Sequence, residues 1–297
     1  MAPGEERDTL IEAPSAPVRH RRVSGRVVLV LVVILLIIGA AGGWYYKRHH
    51  SPTGRSAAPP AAKTKADQTL ATTIGIQLSD LGTGWTSTPG TTGDAFAANA
   101  QNTAASTTAQ TKATATLAGC LKVAVADVSR AFGGPTPNRT AAASTPTYIG
   151  GSVPGTAANS VVDVMRAPSA EHADQKVFAD PTTFASCYQS YAQSMLAYAV
   201  PATAAAANEF TSVTVAPATV PAPSSSRVHT EAFTVTRVGK LTSVTTAVAV
   251  FGGRLQATLN LVSSGTFPAT TESTVVAAVE ARVTSNLRTP KTTTTSS

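Results

Sequence analysis

The side chains suited to catalysis or ligation are few and far apart. Only His172 and His229 fall between residues 67 and 287, and no His-x-x-x-His or Cys-x-x-Cys spacing occurs. A tetrahedral zinc site needs three or four such ligands to converge, so no metal is expected. His172 reads as a solvated helix residue. His229 has Glu231 two positions on, hence on the same face of a strand, and the two read as a surface pair. Gly150-Gly-Ser152-Val-Pro154 lacks the second glycine of a nucleophile elbow. Gly82-Thr-Gly84-Trp85 reads as a turn, and neither a phosphate loop nor a dinucleotide fingerprint is present. No catalytic residue, no cofactor-binding residue and no cofactor is therefore assigned. The chain is expected not to be an enzyme, with a hydrolase built from dispersed residues as the rival reading.

Cys120 and Cys187 are the only two cysteines. In an oxidising compartment two cysteines most economically form one disulfide. Closing so long a loop is worth roughly 4 kcal/mol in the chain-entropy account. Two buried free thiols, or one reactive cysteine, are the alternatives.

The elements that must position these residues follow from periodicity. Leu117, Leu121, Val125, Val128 and Phe132 recur at helical spacing, and Gly133-Gly134-Pro135 stops the run. Pro181 suits the first turn of a helix whose apolar face is Phe184, Cys187, Tyr191, Met195 and Tyr198. A helix start is expected at Ser169 as N-cap, with acids in its first turn. Ser160-Val-Val-Asp-Val-Met-Arg166 reads as a strand. Phe210–Val220, Val228–Val238, Leu241–Phe251 and Leu255–Val262 are β-branched runs of period two. Gly239-Lys240 and Gly252-Gly253 are short enough to make tight hairpins of them. After Pro268 a helix runs to about Leu287 with Val275, Val276, Val279, Val283 and Leu287 on one side, placed to cover the sheet. Residues 86–111, rich in Thr, Ala, Gly and Asn, read as a long loop. The fold class expected is α+β: an N-terminal transmembrane helix, then an antiparallel meander packed with helices, sandwich-like.

Residues 27–46 hold 20 positions without a charge, closed by Trp44-Tyr-Tyr46. A helix of that length, at about 1.5 Å per residue, spans a hydrocarbon core of roughly 30 Å, and the aromatic rings suit the headgroup level. Arg19, Arg21, Arg22 and Arg26 precede it, against Lys47, Arg48 and Arg55 after it, a bias that places the N-terminus in the cytoplasm. A cleaved export signal ending near Gly39-Ala40-Ala41 is the rival reading. The organisation expected is a cytoplasmic tail over 1–26, a transmembrane helix over 27–46 and an extracytoplasmic tether over 47–73. An α+β extracytoplasmic domain follows over 74–288, then a disordered tail over 289–297.

The formal charge of +7 does not mark a nucleic-acid binder. Residues 1–66 carry ten Lys/Arg and four acids, whereas 67–287 carry 11 basic and 12 acidic residues. The excess positive charge flanks the apolar segment instead of forming a basic face on the domain, so no nucleic-acid partner is expected.

Cys120, the strand Ser160-Val-Val-Asp-Val, Pro168-Ser-Ala-Glu-His-Ala-Asp and Phe184-Ala-Ser-Cys187 occur in an order that resembles actinobacterial membrane-anchored extracytoplasmic domains. They are similar to the sensor domain of mycobacterial serine/threonine kinases, over about residues 74–200. The opening Leu78-Ser-Asp-Leu-Gly-Thr-Gly-Trp85 looks like openings found in such envelope proteins. Those sensors carry a second disulfide that this chain lacks, and no functional residue transfers. The resemblance implies a sandwich that binds a ligand or partner in a groove. The function expected is that of a single-pass plasma-membrane protein of the cell envelope. Its outer, sensor-like domain would bind a lipid, a cell-wall fragment or a membrane-protein partner, while residues 27–46 contact the bilayer. A structural or assembly factor is the alternative.

Overall fold

A computed structural model of the chain describes residues 61–88, 104–132, 138–150, 153, 155–168, 172, 175–196, 210–239 and 242–288. The expected transmembrane segment 27–46, the tails 1–26 and 289–297, the Ser169 N-cap and Tyr198 lie outside them. Among the described residues no helix is long and apolar enough to cross a membrane.

Eight antiparallel strands form a single sheet between two layers of helix. The strands are β1 (Trp85–Ser87), β2 (Arg139–Ser144), β3 (Tyr148–Gly150), β4 (Thr156–Met165), β5 (Phe210–Pro217), β6 (His229–Gly239), β7 (Thr242–Gly252) and β8 (Leu255–Ser263). Their order is β1-β3-β4-β8-β7-β6-β5, with β2 pairing the second half of β4. The three-strand meander expected from the C-terminal third is present as β6 to β8, and β5 extends it by pairing with β6. It is joined through β8 to β4, with Val162 opposite Ala257.

Alternation along the strands sorts the two faces. On one, Val162, Val164, Val248, Val250, Ala257, Leu259 and Leu261 meet α1 (Ala61–Ile74) and α5 (Ala269–Arg288). The stripe Val275, Val276, Val279 and Val283 of α5 is fully buried there, as its spacing predicts. On the other face Val213, Val215, Phe233, Val235 and Phe251 meet α4 (Pro181–Met195). There Phe178, Phe184, Tyr188 and Phe233 pack ring against ring. Asp180 caps α4, its Oδ1 accepting from the backbone N–H of Thr182 and Thr183.

Several expectations are corrected. The tether read over 47–73 gives way at Ala61 to α1, and Ala71 and Ile74 enter the core. The stripe was hidden because Asp67, one turn before Ala71, is a buried charge held by Arg254 Nη2 at 2.7 Å. The loop read over 86–111 contains β1 at one end and the start of α2 (Ala104–Leu121) at the other. The helix read from Leu117 to Phe132 is two, α2 and α3 (Val125–Ala131). Lys122, at φ 57°, ends the first of them. Its N–H donates to Gly119 O and that of Val123 to Ala118 O, a Schellman closure with lysine in the usual glycine position. The β7–β8 turn is Gly253-Arg254, not Gly252-Gly253, because Gly252 pairs with Leu255. Gly253 sits at φ +63°, as the first position of a tight hairpin requires. Val238 lies opposite Thr242, so the β6–β7 link is longer than Gly239-Lys240.

Candidate functional site

Cys120 and Cys187 form the expected disulfide, with Cα atoms 5.8 Å apart, and it joins α2 to α4. The Cys187 side is buried among Leu117, Ala118 and Val128. Both cysteines of the chain are thus used.

A cleft of about 260 Å³ opens at one end of the sheet. Ser226, Arg227 and Val228 lead into β6, whose first residue, His229, forms the wall. Gly253 of the β7–β8 turn and Leu287 of the last turn of α5 close the other sides, and His172 and Gln175 complete the rim. Two residues read separately from the sequence, His172 and His229, are therefore brought to one cavity.

His229 Nε2 lies 2.8 Å from Glu231 Oε1, the same-face pair that their spacing predicts. Phe251, directly opposite His229 across the β6–β7 pair, backs the ring at a centroid distance of 6.3 Å. Burial pushes the Glu231 carboxyl up from its ordinary value, and His229 opposes that shift. His172 Nδ1 lies 3.4 Å from Gln175 Oε1. The lining therefore combines a guanidinium, two imidazoles, an amide and a hydroxyl with the apolar Val228 and Leu287. Such a wall suits a small polar ligand held by hydrogen bonds.

No protein-family model matches this chain, and no curated protein matches it. Function must therefore be argued from the geometry. Among the described residues no three of His, Cys, Asp and Glu are grouped to hold a metal ion.

Sequence reasoning missed Ser226, Arg227 and Gln175 as lining residues. The loop Ser224-Ser-Ser-Arg227 immediately before a strand was the available signal, and only the fold sets it against α5 and the β7–β8 turn. It also missed the charge clamps that tie the helices and strands to one another. Arg282 of α5 grips Asp80 with both nitrogens, Nη2 to Oδ2 at 2.6 Å and Nη1 to Oδ1 at 3.1 Å. The same guanidinium donates to the last carbonyl of α1, Ile74 O, and to Gly75 O just beyond it. Arg254, in the turn beside the cleft, pairs with Asp67 and donates to Met165 O. Arg139 Nη1 meets Asp163 Oδ1 at 2.8 Å on the opposite face.

Proposed function

We propose that this chain is a single-pass membrane-anchored protein of the cell envelope. Its extracytoplasmic domain binds a ligand or partner and carries out no catalysis of its own. The observation that carries the reading is the Cys120–Cys187 bond, which consumes both cysteines of the chain. A structural disulfide is at home in an oxidising compartment. The uncharged run over 27–46 supplies the means of reaching one. The resemblance to the sensor domain of mycobacterial serine/threonine kinases supports a binding role. The cleft between Arg227, His229, His172 and Leu287 is the place for the ligand.

Two measurements test the reading. Protease added to intact cells whose outer layers admit it should remove the C-terminal domain and spare the N-terminus; a protected domain would overturn the location. Native mass spectrometry of the full chain purified from its own cells should show a retained mass that Arg227→Ala and His229→Ala both release. A bare protein, or a mass indifferent to both substitutions, would overturn the ligand site.

A further inference from the structure

The three clamp arginines described above share one feature that Arg237 lacks. Arg139, Arg254 and Arg282, all half-buried, each hold a carboxylate within 2.8 Å. Arg237 is more deeply buried, at 8% exposure, and has no carboxylate among the described residues. Its hydrogen bond is a long one, Nη1 donating to Thr245 Oγ1 at 3.5 Å. Directly opposite it on β7 stands Ser243, fully buried, whose hydroxyl has no partner among the described residues. Thr245, buried at 2% exposure, is the next β7 residue on the same face. Burial draws the Arg237 guanidinium below its ordinary value, and the nearby Tyr188 acts the other way.

A guanidinium taken out of water costs several kcal/mol unless an opposite charge and good hydrogen bonds offset it. An orphaned hydroxyl beside it adds to that cost. The two deficits are adjacent, since facing residues of paired strands lie about 5 Å apart. One acceptor of negative charge would satisfy both, taking the free N–H groups of the guanidinium fork and the Ser243 O–H together. The row lies near the β6–β7 end of the sheet, one pair in from Val238 and Thr242.

We propose that Arg237, Ser243 and Thr245 form a binding site for a small oxyanion, a carboxylate or phosphate group, on the α4 face of the sheet. This site lies on a different part of β6 from the His229 cleft and goes beyond the function proposed above. Arg237 supplies the charge and the fork, Ser243 donates one further hydrogen bond, and Thr245 orients the guanidinium.

The test is thermal unfolding of the full chain in inorganic phosphate and in acetate, against chloride at equal ionic strength, with titration calorimetry alongside. An anion that binds only the folded state raises the melting temperature with its concentration. The wild type should show that rise with at least one of the two probes, and the comparison tells which oxyanion the site prefers. Arg237→Met should abolish the rise while leaving stability in chloride equal to or above wild type, since it removes an unpaired charge. Ser243→Ala should keep the fold and weaken the anion by about tenfold. A wild type indifferent to both anions, or a rise that survives in both variants, would overturn the proposal.

Discussion

Lys122 is the described non-glycine residue with positive φ, and the strain it carries is local and removable. A left-handed L-residue costs roughly 1 kcal/mol relative to glycine. Its side chain is exposed, so nothing else is lost when it is cut back. Lys122→Gly should raise unfolding stability by about 1 kcal/mol, measured by denaturant titration; an unchanged or lowered midpoint would show that lysine bears no strain there. The same position explains a misread helix. The apolar spacing runs on through Val125 and Phe132, and no glycine marks the break, so periodicity alone carried the helix across it. Asp67 shows the converse. A charge on an apolar stripe argues against a buried helix until Arg254, 187 positions away, is seen to neutralise it.

At the scale of elements, two edge strands of the sheet, β5 and β2, are engaged by glutamines. On β5 the N–H groups of Val213 and Val215 donate to the side-chain oxygens of Gln193 and Gln189 of α4. The match is geometric. Two strand residues advance about 6.7 Å and four helix residues about 6 Å, so glutamines at i and i+4 meet strand positions at i and i+2. On β2, Gln68 of α1 donates to Ala142 O at 2.9 Å. An unpaired edge invites a second chain. The double substitution Gln189→Ala, Gln193→Ala should therefore produce concentration-dependent self-association in sedimentation velocity, at a cost of about 1 kcal/mol per lost bond. A strictly monomeric variant would show that the glutamines do not guard the edge. The disulfide acts between elements as well, tying α2 to α4. Cys187→Ser should cost roughly 3 kcal/mol, read as the difference between oxidised wild type and variant in denaturant. No loss would mean that α2 is held by packing alone.

For the whole molecule, the titrating groups lean one way. Burial pushes the carboxyls of Asp163, Glu231, Glu272 and Glu280 above their ordinary values. Arg139 opposes the shift at Asp163, His229 at Glu231 and the Thr230 hydroxyl at Glu280. Asp180 moves the other way, held low first by the Thr183 hydroxyl and then by backbone N–H groups. A carboxyl that is raised on folding binds its proton more tightly in the native state. Its contribution is complete below the unfolded value near 4 and is lost as pH rises through the folded value. Asp180 contributes above the ordinary carboxylate range and loses that as pH falls. Four groups against one predict a melting temperature that falls as pH rises above the ordinary carboxylate range near 4. A steady rise from there toward neutrality would contradict it.

Local sequence alone carries the hairpins of β6 to β8, the covering helix α5, the proline-led start of α4 and the cysteine pairing. Each of these rests on local period, turn chemistry or simple counting: Val275 to Val283 recur every three or four residues, and two cysteines allow one bond. What only the tertiary structure decided are the partners that lie far apart in the chain. Asp67 with Arg254, Asp80 with Arg282, and the meeting of His172 with His229 leave no trace in any window of neighbouring residues. The short strands β1 to β3 belong to the same class, being three to six residues long and stabilised by pairing with β4 or with one another, not by a pattern of their own. The reason is physical. Backbone conformation is selected by nearest neighbours and by the face a side chain presents, whereas a charge or hydroxyl is placed by whatever the finished fold sets opposite it.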